Sequence, residues 1–269
     1  MARKGFKATP ASTGVRIALF VEGTNELTPK KRDDLAALWR SLCERVGASS
    51  DRIAVHGFTK QQLVLMKPKR DVVVAGKVPF DVLVALKYGE SPFDRFVVAF
   101  DALPENQAVL ELPGGSCLAS ERDFLLRELS KSRVLPDRFR RSAEALLTYY
   151  SHHRGKVRTR TRPPLGDVEA IYMDPCFEAV VMTDASALRS VFSLGRVPAA
   201  WPRMPFRGRR PDFELAKIVN EHRDKGPTYL RQPYKERKHA WAQEVVRQAA
   251  ARSPLFAHPI AHRLGELVR

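Results

Sequence analysis

The sequence predicts an α/β fold with a mainly parallel sheet flanked by helices, followed by a helical C-terminal part. Three observations carry that expectation. Ile17-Ala-Leu-Phe-Val21 and Phe96-Val-Val-Ala-Phe100 are unbroken apolar runs, the pattern of strands buried on both faces. Each run ends in a carboxylate, Glu22 in the first case and Asp101 in the second. Between them lie stretches of helical periodicity, long enough for the crossovers that parallel strands need.

Residues 1–14 are polar and basic (Arg3, Lys4, Lys7) and read as a flexible arm. The first strand spans 15–22; Gly23 lets the chain turn sharply, and Thr24 or Asn25 can cap the next helix. A helix over 30–46 places Leu35, Leu38, Trp39, Leu42 and Val46 on one face. Residues 52–58 read as a second strand, 60–66 are ambiguous, and 72–74 suggest a short strand. A helix over 80–87 precedes the break at Pro92, and the apolar strand ending in Asp101 comes next. Residues 107–118, with Pro113-Gly-Gly115, read as a loop. Helices are expected over 120–130, with Ser120 as cap and Asp123 three residues on, and over 137–150. Residues 170–173 form a short strand, after which Asp174 at the N-cap and Pro175 at the first helical position open another helix. The Pro- and Arg-rich stretch 196–212 reads as an irregular linker, and a helix is expected over 212–221. A basic amphipathic helix over 235–252 turns Trp241, Val245, Val246 and Ala249 inward and Lys235, Arg237 and Lys238 to solvent. A last helix covers 258–268. The expected organisation is therefore an arm (1–14), an α/β core (15–195), and a basic linker with C-terminal helices packed on that core (196–269).

At 269 residues and 44% hydrophobic, the chain can bury a real core. It has no run of about 18 apolar residues, which excludes a membrane-spanning helix from the expectations. The N-terminus lacks the apolar centre of a signal peptide. Cys43, Cys117 and Cys176 lie far apart, against a disulfide framework or zinc cluster, so a cytoplasmic location is expected. An oligomer is left open. The net charge of +16 bears on partners and points to phosphate polyanions, with nucleic acid first. A merely basic surface or an acidic protein partner is the plainer reading of the same charge. There is no internal repeat, P-loop or dinucleotide fingerprint.

Open parallel sheets bind ligands at the C-terminal ends of their strands. Glu22 and Asp101 stand at two such ends, and side by side they would form a hard-cation site for Mg²⁺ or Mn²⁺. The plainer reading is that each acid caps its own turn. Glu178 is an acid in an apolar helix start; it needs a partner or a metal, or is favoured there by the helix dipole. Arg154, Lys156, Arg158, Arg160 and Arg162 alternate with Gly155, Val157, Thr159 and Thr161 over nine positions, and Arg207, Arg209 and Arg210 form a second cluster. Both fit an extended chain tracking phosphates of DNA or RNA, tRNA included. His152 and His153 are adjacent, do not share a helix face, and are not read as ligands.

These residues also carry a family resemblance. Val21-Glu-Gly-Thr-Asn-Glu26 resembles the Glu-Gly-x-x-Glu opening of Toprim-like domains, and Phe100-Asp101 falls where they carry an Asp-x-Asp strand. Asp174-Pro-Cys-Phe-Glu178 resembles the Pro-Cys-Phe-Glu segment of RloB-type proteins and related families associated with OLD or ABC ATPases. Tyr234-Lys235 with His239, and the tail Ser253-Pro-Leu-Phe-Ala-His258, are similar to the C-terminal end of such families, so the resemblance spans most of the chain. It implies a Toprim-like core of about four parallel strands, Mg²⁺-dependent phosphodiester hydrolysis, and an effector role in prokaryotic antiviral defence beside an ATPase partner. It makes Glu22 the acid/base or metal ligand, Asp101 a ligand, Glu178 the completing acid, and Glu26 the second acid of the opening motif. Leu103 stands where the second Asp of the pair is expected, and Glu105 is the nearest carboxylate.

The functional expectations are two in the first place. One is a metal-dependent nuclease; the other is a catalytically degenerate module of the same fold that binds nucleic acid or an ATPase as sensor or regulator, favoured by Leu103. A small-molecule phosphate enzyme is a third, without a Gly-rich phosphate loop to support it.

Overall fold

The computed structural model describes residues 14–23, 29–66, 77–101, 117–153, 163, 165–173, 176–195 and 211–268. The strand expected at 72–74 lies outside them. Among the described residues four strands form a sheet: β1 (Ile17–Glu22), β2 (Ile53–Phe58), β3 (Arg95–Asp101) and β4 (Val168–Met173). Their order is β2-β1-β3-β4, and every pairing is parallel. The α/β class and parallel sheet expected from the sequence are thus present.

The strands alternate with pleat period two, and both faces are apolar. Ile17, Leu19, Val21, Val97, Ala99, Ile171 and Met173 belong to one buried cluster; Ala18, Phe20, Phe96, Val98, Phe100, Val168 and Ala170 belong to another. This is why the strands read as continuous apolar runs rather than alternating ones. The first cluster is completed by α1 (Pro29–Arg45) and by the helices that follow β4. These are α6 (Phe177–Val181), α7 (Ala185–Phe192), α8 (Pro211–His222), α9 (Tyr234–Gln248), α10 (Pro254–Ala257) and α11 (Pro259–Leu267). The second cluster is completed by α2 (Lys60–Val64), α3 (Phe80–Glu90), α4 (Cys117–Lys131) and α5 (Asp137–His152). In it, the Phe20 ring meets Phe80, Phe93 and Phe96 edge-on, with centroids 5.5 to 6.3 Å apart. Each such fully buried aromatic contributes on the order of 1.5–3 kcal/mol.

The apolar face of α1 is as the periodicity predicts: Leu35, Leu38, Trp39 and Leu42 are buried, and Val46 packs beside them. This face lies along α9, whose Trp241 stacks on Phe192 at 4.7 Å. The C-terminal helices are therefore part of the main core. At the C-terminal end, Arg263 of α11 pairs with Glu169 of β4, Nε to Oε2 at 2.9 Å, and Arg95 donates to the Leu267 carbonyl at 3.0 Å.

Two capping expectations are corrected. α4 begins at Cys117, three residues before Ser120, so Ser120 is inside the helix and not its cap. α6 begins at Phe177 with Cys176 as its N-cap residue, extended at φ −160°. The chain is still extended at Cys176 and turns helical only after it; Asp174 and Pro175, expected to open the helix, lie outside the described residues.

Candidate active site at the carboxyl edge of the sheet

Parallel strands all end on one edge, and the chemistry-bearing residues gather there. The pairing Val21↔Ala99 sets Glu22 level with Phe100, so Asp101 extends one residue further. The backbone N–H of Asp101 donates to Glu22 Oε2 at 2.9 Å. The backbone N–H of Phe177 donates to Asp101 Oδ1 at 3.1 Å, which brings the start of α6, and Glu178 with it, to the same place. Glu22, Asp101 and Glu178 are thus brought together.

Strand alternation then sorts them. Glu22 shares parity with Phe20 and faces α2 and α4, while Asp101 shares parity with Ala99 and faces α6 and α9. Each face supplies one lysine. Lys60, the first residue of α2, reaches Glu22 Oε2 at 3.6 Å and Glu121 Oε2 of α4 at 2.9 Å, and donates to the Asp101 carbonyl at 3.1 Å. Lys238 of α9 reaches Glu178 Oε1 at 3.1 Å, and the Tyr234 hydroxyl donates to the same oxygen at 2.8 Å.

The expected solvent face of α9 is corrected here. Lys238 lies in the site, and Arg237 pairs with Asp34 at 3.1 Å. The helix is kinked at Arg237 (φ −134°, ψ 25°), which rotates these residues inward relative to a regular helix. Trp241, Val245, Val246 and Ala249 pack in the core as expected.

Burial and charge set the protonation. Burial pushes the Asp101 carboxyl up to about 8, and the Glu178 and Glu22 carboxylates push the same way. Burial raises Glu22 as well, against the pull of Lys60. Glu178 moves oppositely: burial disfavours its charge, but Lys238 and the Tyr234 hydroxyl outweigh it and hold the group down at about 2. Lys238 is raised in turn, Glu178 and Asp101 outweighing its own burial. His239 is pushed down to about 3 by burial and by Lys238, so its imidazole is neutral. The site therefore holds one firm carboxylate, Glu178, beside Glu22 and Asp101, whose carboxyls burial pushes upward.

A cavity of about 20 Å³ opens between Glu22, Asp101, Trp39, Phe177, Lys238 and His239. That is room for about one water or one small ion. Among the described residues no group of three or more His, Cys, Asp and Glu side chains is arranged to hold a metal. Glu22 and Asp101 both line this cavity, and an ion such as Mg²⁺ keeps several waters when few protein ligands hold it.

Glu26 and Glu105 lie outside the described residues, as do Arg154, Lys156, Arg158, Arg160, Arg162, Arg207, Arg209 and Arg210. Lys60, Glu121 and Lys238 were missed as site residues. Lys60 had a signal: it stands just past the end of a parallel strand, where Glu22 and Asp101 also stand. Lys238 had none, because its position depends on the kink.

No protein-family model, no curated protein and no solved structure matches the chain, so the site's own geometry is what speaks for its function.

Proposed function

We propose that the chain is a Mg²⁺-dependent nuclease with a Toprim-like core, Glu22 and Asp101 holding the ion. The observation that carries the reading is the hydrogen-bonded juxtaposition of Glu22, Asp101 and the start of α6 at the carboxyl edge of a parallel sheet. A bound Mg²⁺ would supply Lewis-acid polarisation of a phosphodiester. The chain's own groups do the rest. Glu178 stays ionised beside Lys238, and that ammonium draws an anionic phosphate toward the cavity. Tyr234 fixes the Glu178 carboxylate. Trp39 and Phe177 wall the cavity and limit water. The net charge of +16 supports a nucleic-acid substrate, DNA or RNA, tRNA included, with the basic segments 154–162 and 207–210 along its backbone. An antiviral effector role beside an ATPase partner, and a cytoplasmic location, rest on the resemblance and composition alone.

A second reading is a catalytically degenerate module that binds nucleic acid or an ATPase. Lys238 favours it, because it already compensates Glu178, and so does Leu103 in the sequence. Incubating purified protein with plasmid DNA and with total tRNA, in Mg²⁺, Mn²⁺ or EDTA and alongside Glu22→Gln, separates the two. Metal-dependent cutting lost in the variant supports the nuclease. Tight, salt-sensitive binding without cutting supports the module.

A further inference from the structure

Glu22 has oxygen-rich surroundings on both faces of the sheet, and only one of them adjoins the cavity. On the α2/α4 face, three oxygens from three elements surround the Lys60 nitrogen: Glu121 Oε2 at 2.9 Å, the Asp101 carbonyl at 3.1 Å and Glu22 Oε2 at 3.6 Å. Two carboxylates and a main-chain carbonyl are the donors a hard divalent ion takes. Here an ammonium takes them. It is sealed in: Lys60 is 7% exposed and Glu121 1%. Its nitrogen lies 5.0 Å above the Phe100 ring, which adds cation–π attraction. The other Glu121 oxygen, Oε1, is buried and finds no hydrogen-bond partner among the described residues. The cage therefore has more anionic oxygen than Lys60 uses, the composition of a cation site and not of a simple ion pair.

We propose that the Lys60 ammonium is the resident cation of this oxygen cage, so that the centre binds a single divalent ion, on the cavity side of Glu22. Lys60 is then a positioning residue. It neutralises the inner side of Glu22 and fixes that carboxylate, leaving its outer side and Asp101 to the metal. The inference rests on the metal-centre reading above and adds a stoichiometry and a role for Lys60 and Glu121.

The test is a count of Mn²⁺ ions bound by the full chain near neutral pH, read from the loss of the free-ion EPR signal. Only sites that disappear in Glu22→Gln are counted, which removes weak surface binding. The expected count is one for the wild type and one for Lys60→Arg, which keeps the charge. Lys60→Gln empties the cage of its cation and is expected to bind two. Two ions on the wild type, or one ion on a folded Lys60→Gln, overturn the inference while leaving the metal centre standing. No Glu22-dependent ion on the wild type overturns the metal centre itself, and the inference with it. Should Lys60→Gln fail to fold, the wild-type and Lys60→Arg counts decide.

Discussion

The main chain of Asp101 holds the side chain of Glu22: its N–H donates to Glu22 Oε2 at 2.9 Å, across two neighbouring parallel strands. One acid thereby fixes the direction of the other without spending its own carboxylate. Because the bond needs only an oxygen acceptor, a glutamine at position 22 can keep it. Glu22→Gln is therefore expected to fold normally, and under the proposed nuclease function to bind nucleic acid as the wild type does while metal-dependent cleavage falls by at least about 10²–10³-fold. Gel-based cleavage with a parallel filter-binding assay checks this; unchanged cutting would remove Glu22 from the mechanism.

Asp101 predicts a pH dependence of stability. Its carboxyl stands at about 8 in the fold against an ordinary 3.8. A raised folded pKa means the native state binds the extra proton. The stabilisation is complete below the unfolded value and is lost as pH rises from about 4 to about 8. Asp101→Asn removes that loss. Its melting temperature is expected to gain on the wild type as pH rises through this window, by about 2–4 °C for each kcal/mol. Parallel melting curves that keep a constant gap across the window would contradict it.

The Arg263–Glu169 pair predicts how firmly the last helix is docked. Glu169 is nearly fully buried, and burial raises its carboxyl despite the arginine. Removing one partner leaves a buried charge without compensation. Arg263→Met is expected to cost about 3–5 kcal/mol, and the double variant with Glu169→Leu to recover part of it. Urea denaturation of the two proteins measures both effects.

Gly226 predicts a packing limit. A Cβ built there would stand 2.8 Å from the Trp241 ring, which itself is fully buried against Phe192. Neither side has room to give. Gly226→Ala is expected to destabilise by about 1–3 kcal/mol and to blue- or red-shift the tryptophan emission. An unchanged denaturation midpoint would mean that the 226–241 contact is loose.

The alternating arginines predict a salt dependence. If Arg158, Arg160 and Arg162 each neutralise one phosphate, their triple replacement by Gln flattens the slope of log affinity against log salt by roughly 2–3 on duplex DNA. An unchanged slope would make the segment a solvated loop.

Much of the fold was legible because its signals are local. Val97, Val98 and Ala99 are apolar whichever face they meet, so β3 declared itself, as β1 did through Leu19 and Phe20. The acids at 22 and 101 were legible for the same reason: a charge that ends a buried run must sit at a strand tip. Glu178 declared itself as a carboxylate among Cys176, Phe177 and Ala179. The features that stayed hidden depend on distant chain. The start of α6 was misplaced because Asp-Pro is a good local helix opener, yet Phe177 is held by Asp101 from another strand. Arg237 and Lys238 read as solvated because a regular helix would turn them outward. Their partners, Asp34 and Glu178, lie far away in sequence, and the kink that serves them leaves no mark in composition. Glu121 was passed over because an acid within an amphipathic helix is ordinarily a surface residue.

The parity of β3 makes the centre intolerant of a kind of change that its apolar residues would otherwise forgive. Any of Val97, Val98 and Ala99 could drift to another small hydrophobe with modest effect. Adding or deleting one residue between Arg95 and Asp101 would leave composition and hydropathy almost untouched. It would also turn every side chain beyond that point over, hand each core the β3 residues that belong to the other, and swing Asp101 from the Lys238 side to the Lys60 side. Descendants of this chain are thus free to vary letters here but not length, and a gap within these seven positions would mark a lineage in which the chemistry of the edge has been abandoned or rebuilt.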